Sequence, residues 1–130
     1  KIGLADPMGS SLYSHFNGQG LHGEGESIAE GIGVSFVPGN LAGLEHDFSC
    51  QIDDDDALPL IYDLLKDEGI SVGGSAGINI AGAITMAREL GPGHTIVTIL
   101  CDSGSRYQSK LYNPEYLWKH KLPYPHWIAN

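Results

Sequence analysis

The sequence predicts an α/β fold: part of a larger three-layer domain in which a mostly parallel sheet is flanked by helices. Three observations carry that prediction. His94 to Cys101, HTIVTILC, is a continuous β-branched run, the pattern of a strand buried on both faces of a parallel sheet. Ile70-Ser71-Val72, GGSAGIN and a helical stretch lead into it, a strand–helix–strand unit with the spacing of a right-handed βαβ crossover. Ahead of these, ALPLIYDLLKDEG places Leu58, Ile61, Tyr62 and Leu65 on one face of an amphipathic helix.

Taken in order, Ile2 to Ala5 reads as a strand closed by a turn at Asp6-Pro7. A chain that begins in this way is expected to enter in mid-domain, so residues 1–130 are expected to form an incomplete domain. Met8 to Phe16 is a candidate helix starting near Ser10 or Ser11. The glycine-rich stretch Asn17 to Ser27 reads as a surface loop or short hairpin. Gly31-Ile32-Gly33 and Val37-Pro38-Gly39 continue as turn-rich chain that wraps around something.

Asp53 to Asp56 precede the amphipathic helix, one aspartate capping it and the others favouring the positive end of its dipole. The glycine and closing glutamate of a calcium loop are missing. Pro59 tolerates only the first turn or so, which predicts a helix that begins late in the acid run or bends there. Gly69 supplies the stop. The next helix carries Ala81, Ile84, Ala87 and Leu90 on one face, its small residues Ala81-Gly82-Ala83 allow close packing on the sheet, and it stops at Gly91-Pro92-Gly93. Asn113-Pro114 caps a short helix over Glu115 to His120, and the tail PYPHWIAN is expected to be irregular, with Trp127 packed on a neighbour.

Composition narrows the function. Sixteen acidic against seven basic residues leave a net charge of −9, which argues against a nucleic-acid partner, because phosphate backbones are bound by clustered Lys and Arg. No apolar run is long enough to span a bilayer. Cys50 and Cys101 lack metal-ligand spacing and are expected to be reduced core thiols, as in a cytoplasmic protein. The six histidines are scattered, and no metal site is expected.

Three motifs bear on chemistry. GGSAG, Gly73 to Gly77, opens a helix after a strand and offers backbone N–H groups to an anion, although such turns are often only tight turns. Gly31 and Gly33 present backbone without Cβ, against which a flat ligand can rest, or else only satisfy a positive φ. DSGSRY, Asp102 to Tyr107, follows the long strand, where open α/β sheets place their ligands. Cys101 stands where a nucleophile elbow needs its first glycine, so a serine hydrolase is disfavoured. Ser103 is suited instead to one hydrogen bond with a ring nitrogen, and Arg106 to tying the loop to a carboxylate or carbonyl.

The segments ADPMGSSLY, EGIG, VPGNL, DEGISVGGSAGINIAGA and ARELGPGHTIVTILCDSGSRYQSKLYNPEYL resemble the C-terminal part of cysteine synthase (O-acetylserine sulfhydrylase), of the β-family, or fold type II, of pyridoxal-phosphate enzymes. The resemblance spans nearly the whole chain but less than half of a family member. It implies the Rossmann-like, tryptophan synthase β-like fold and a fragment of the larger domain. It implies pyridoxal 5'-phosphate as cofactor, with Ser103 on the pyridine nitrogen and Gly31 and Gly33 as active-site wall. A neutral hydroxyl there does not hold the pyridine protonated, which suits loss of a β-substituent over transamination.

The substrates so implied are O-acetylserine and sulfide, in a cytoplasmic homodimer. The cofactor-anchoring lysine, the substrate-carboxylate loop and the phosphate cup of the family lie outside this chain, and none of Lys1, Lys66, Lys110, Lys119 or Lys121 sits in the family's lysine motif. No catalytic residue is therefore expected here, and the chain alone is expected to be inactive without its missing N-terminal segment or a complementing chain. After EGIG the chain reads Val34-Ser35-Phe36, a departure at the wall of the substrate pocket. The rival readings are a cystathionine β-synthase-like enzyme taking another nucleophile and a non-catalytic binding or regulatory module.

Overall fold

A computed structural model describes residues 1–129. Two strands, β1 (Gly3–Pro7) and β2 (Phe48–Ile52), pair in parallel with Gly3 opposite Phe48 and Pro7 opposite Ile52. Between them lie α1 (Leu12–Phe16) and a long loop with one 3₁₀ turn at Gly39–Leu41. After β2 come α2 (Asp54–Glu68), α3 (Gly74–Leu90), a 3₁₀ turn (Gly104–Tyr107), α4 (Pro114–Lys119) and a last 3₁₀ turn (His126–Ala129).

Strand alternation sorts the helices into layers. Side chains of successive strand residues point to opposite faces. A Cβ on Gly3 would meet Met86 Sδ at 3.1 Å, and one on Gly82 would collide with Ala5 Cβ, so the Gly3 and Ala5 face meets α3. On the other face, Asp6 Oδ2 accepts from Tyr13 N at 2.8 Å, and Ser49 Oγ accepts from Asn17 Nδ2 at 2.9 Å, which places α1 there. The three layers expected from the sequence are thus α1, sheet and α3.

The core sits under the helices. Leu58, Ile61 and Tyr62 of α2 pack with Val72, Ala76, Tyr107, Leu111 and Leu117. Ile52, Ala57, Ile78 and Ala81 form a second cluster that joins α2 and α3 to the sheet. Each buried Leu, Ile or Val among them contributes about 1.5–3 kcal/mol of transfer free energy. Gly77 lets the two helices touch: a Cβ there would lie 2.8 Å from Ala57 O. Asp53 caps α2 by accepting from Asp55 N, Gly69 ends it at φ 70°, and Asn113 Oδ1 caps α4 by accepting from Glu115 N at 3.1 Å.

Several expectations fail in instructive ways. β1 runs through Asp6 and Pro7, and the turn follows it. Helix α2 begins at Asp54 and carries Pro59 in its interior, so the ring is accommodated past the first turn. Ile70–Val72 forms no strand, only a single antiparallel bridge from Val72 to Ser103. The largest difference is at 94–101, which forms no strand and leaves Val97 86% and Ile99 69% exposed. The mostly parallel sheet expected from the sequence is therefore two-stranded among the described residues. The physical reason is that β propensity expresses packing between paired strands, and among the described residues no strand pairs with this segment.

Cys101 is consequently exposed rather than in the core, whereas Cys50 is half-buried; both are free thiols. Tyr124 and Ile128, not Trp127, pack the tail onto the core. Among the described residues no helix is long and apolar enough to cross a membrane, and no group of three or more His, Cys, Asp or Glu is placed to hold a metal ion.

Candidate functional site

The carboxyl end of β1 leads directly into a cavity of about 450 Å³ lined by 7–10, 25–27, Ala29 and 32–35. Position at a strand's carboxyl end is where open α/β sheets bind ligands. One serine holds its two sides together. Ser10 Oγ donates to Val34 O at 3.1 Å and accepts from Val34 N at 3.0 Å, while Ser11 N donates to Val34 O at 2.9 Å.

Gly33 lies on this wall. A Cβ there would come within 2.7 Å of Pro7 Cγ and 2.9 Å of Ser10 Cβ, and its φ is 77°, so both space and backbone demand glycine. Gly31 also has positive φ, but a Cβ there would meet nothing within 4 Å and the residue does not line the cavity. The loop bearing both is tethered at its ends. Buried Asp54 accepts from Ser27 Oγ at 2.6 Å and Ile28 N at 2.7 Å, and Glu30 pairs with Lys110, which holds that ammonium above its ordinary pKa. Asp54 thus does more than favour a helix dipole, a role that an acid run in the sequence conceals.

Ser103 stands apart from this cavity. Its hydroxyl is exposed, caps the 3₁₀ turn by accepting from Ser105 N at 3.3 Å, and shares a hydrogen with Ser105 Oγ at 3.0 Å. A hydroxyl donates once and accepts twice. With Ser105 as donor both contacts are accepted ones, and with Ser103 as donor its proton goes to Ser105 Oγ. The residue's position is rigid on the other side, through the Val72 bridge and Gly104 N to Ser71 O at 3.1 Å.

Asp102 is the residue that sequence reasoning left without a role. Its Oδ2 accepts from Tyr107 OH at 2.5 Å, its Oδ1 from Ser75 Oγ at 3.3 Å, and its carbonyl from Gly73 N at 2.9 Å. The chain's own carboxylate therefore lies against the start of α3, where the GGSAG turn offered to bind an anion. Hydrogen bonding to Asp102, and burial after it, holds the Tyr107 phenol above its ordinary pKa. Arg106, expected to tie this loop down, is exposed, and among the described residues its side chain makes no hydrogen bond or ion pair; Asp102 performs that task.

The residues present suit part of a cofactor site. Ser103 offers an exposed hydroxyl on a fixed turn, and Gly33 a wall cleared of side chain. The structure does not bring Ser103, Gly31 and Gly33 into one cavity.

Similarity to known proteins extends over the same elements. The chain is 38% identical to cysteine synthase 2 of Schizosaccharomyces pombe, over 92% of its own length and 33% of that protein. It is 39% identical to a cysteine synthase of Dictyostelium discoideum, over 92% of its length and 34% of that protein. Among solved structures it resembles an O-acetylserine dependent cystathionine beta-synthase from Helicobacter pylori, with a TM-score of 0.69 and 33% identity over 81% of this chain and 32% of that one. It spans about a third of the length of these curated relatives. The family model of pyridoxal-phosphate dependent enzymes matches residues 2–102, from β1 through α3 to the Asp102 carboxylate, and the chain belongs to that family.

Proposed function

We propose that this chain is the C-terminal portion of the larger domain of a cysteine synthase, which makes L-cysteine from O-acetyl-L-serine and sulfide by β-replacement. The observation that carries the reading is the identity of 38–39% to cysteine synthases over 92% of the chain. The assembled enzyme is a cytoplasmic homodimer in this reading, and free Cys50 and Cys101 accord with a reducing compartment.

Pyridoxal phosphate, when bound, supplies an electron sink that acidifies the α-carbon of an amino-acid substrate. Ser103 would hold the ring nitrogen through its exposed hydroxyl, a neutral partner that would not keep the ring protonated. Asp102, clamped by Tyr107 and Ser75, orients the turn that carries Ser103. Gly33 would form wall for a planar group, with Ser10 fixing the adjoining Val34. No residue of this chain anchors the cofactor covalently or moves the substrate's proton, so the chain alone is inactive.

A second reading, β-replacement with a thiol amino acid such as homocysteine as nucleophile, is favoured by the Helicobacter pylori neighbour, whose name joins O-acetylserine to cystathionine beta-synthase. Supplying the enzyme containing this chain with O-acetylserine, and either sulfide or homocysteine, separates the two. Cysteine formation with sulfide is expected. Turnover with homocysteine alone selects the second reading, and turnover with neither overturns both.

A further inference from the structure

Charge is divided unevenly along the chain. Residues 103–130 hold four of the seven basic residues and one of the 16 acidic ones, so they carry +3 while residues 1–102 carry −12. The basic part begins where the family match at 2–102 ends. Lys110 is taken by Glu30, whereas Lys119 and Lys121 are exposed and make no ion pair among the described residues. They flank His120 and follow directly on Trp118.

Trp118 to Lys121 form one compact projection at the carboxyl end of α4. Leu117, wholly buried, roots the helix in the core. The His120 ring stacks on Tyr116 with centroids 4.0 Å apart, and its Nδ1 lies 2.8 Å from Tyr116 O, which stiffens the turn. Leu122 N donates to Leu117 O at 2.9 Å and Lys121 N to Trp118 O at 3.1 Å, the closing bonds of a helix that ends on a left-handed residue. That residue is Lys121, at φ 57° the only non-glycine of positive φ among the described residues, in a position where glycine is the usual occupant. The negative end of the helix dipole accounts for Lys119 in the last turn. It does not account for a lysine kept in the left-handed conformation, nor does packing account for Trp118, which is 71% exposed. Tryptophan is among the residues on which protein interfaces centre.

We infer that Trp118, Lys119 and Lys121 form a docking surface for an acidic peptide segment of another protein, which lays an apolar side chain on the indole and carboxylates on the two ammonium groups. Charge complementarity selects the occupant. A nucleic acid or an anionic membrane extends its charge over a long distance and would also face the −12 of residues 1–102, whereas a short segment meets only the cations within a Debye length of about 8 Å. A second copy of this chain brings a whole body of charge −9. The inference involves neither cofactor nor substrate and does not rest on the cysteine synthase reading.

The test uses the complete enzyme containing this chain and a capped, fluorescently labelled peptide in which glutamates flank a central leucine, with affinity read by anisotropy at low and at raised salt. The peptide is expected to bind, to weaken as salt rises, and to lose roughly tenfold or more in affinity against Trp118→Ala or Lys119→Glu, exposed positions whose replacement leaves the thermal midpoint unchanged. The same peptide with glutamine in place of glutamate is expected not to bind. Lys121→Gly separates docking from a structural role: it is expected to raise the thermal midpoint, because glycine suits the left-handed position, while lowering affinity by roughly threefold or more. No saturable binding, equal binding of the glutamine peptide, affinity untouched by Trp118→Ala or Lys119→Glu, or a Lys121→Gly protein that loses stability and affinity together overturns the inference. So does tighter binding through Trp118 to phosphatidylserine vesicles or single-stranded DNA, or self-association that Trp118→Ala abolishes, each of which identifies a different occupant. Because turnover is not the readout, failure here leaves the substrate reading standing.

Discussion

Tyr107 OH and Asp102 Oδ2 are 2.5 Å apart, and this pair fixes the turn that carries Ser103. A hydrogen bond to an ionised group contributes about 1.5–3 kcal/mol, so Tyr107→Phe is expected to lower stability at pH 8 by about that much. The sign of the pH dependence follows from the raised pKa of the phenol. A group that ionises less readily in the folded chain contributes stability that is whole below its ordinary pKa of 10.0 and is lost as pH rises past it, because the unfolded chain releases the proton first. Tyr62, which donates to Leu111 O at 2.8 Å and is raised by burial and then by Tyr112, adds to the same alkaline loss. Denaturant titrations across pH 8 to 11 are expected to show a decline above about 10 that is shallower in Tyr107→Phe; an equal slope in the two proteins contradicts the role given to Asp102.

At the scale of elements, one aspartate decides how the loop bearing Gly33 sits against α2. Asp54 is buried in the first turn and satisfies both Ser27 Oγ and Ile28 N. Asp54→Ala leaves that N–H unpaired and is expected to cost about 1–3 kcal/mol, with faster exchange at Ile28 and little change at Ala76 or Ile78 in the core. Uniform acceleration across the chain, or none, speaks against a local tether. α2 was the most legible element, since Leu58, Ile61 and Tyr62 keep a strict helical period and all three are buried. Its interior Pro59 was not, because tertiary packing of α2 on α3 outweighs a local steric preference. Residues 94–101 misled in the opposite sense: a strand pattern reports the environment in which a segment pairs, which here is not supplied by the described residues. The contact of Asp102 with the start of α3 was hidden for a third reason, that it joins positions 27 apart along the chain through geometry alone.

Over the whole molecule, the two free thiols report on which surfaces are finished. Cys50 is half-buried beneath α3, and burial, with Glu89 and Asp6 adding to it, pushes its thiol above the ordinary value. Cys101 lies exposed beside the unpaired segment. At neutral pH one thiol is therefore expected to react with a small alkylating reagent roughly tenfold faster than the other, with peptide mapping placing the fast one at Cys101. Equal rates imply either that α3 does not cover Cys50 or that 94–101 is buried. The three-layer arrangement and both cores are complete enough to orient Ser10, Gly33 and Asp102. The cofactor reading of Ser103 draws on its exposed hydroxyl and on the family that the chain belongs to.

A crystal structure of the complete enzyme with pyridoxal phosphate bound tests the central claim most directly. Ser103 Oγ is expected within hydrogen-bond reach of the pyridine nitrogen, about 2.6–3.2 Å, with Gly33 at the wall of the site. A ring nitrogen that meets a carboxylate or water instead, with Ser103 turned elsewhere, contradicts it.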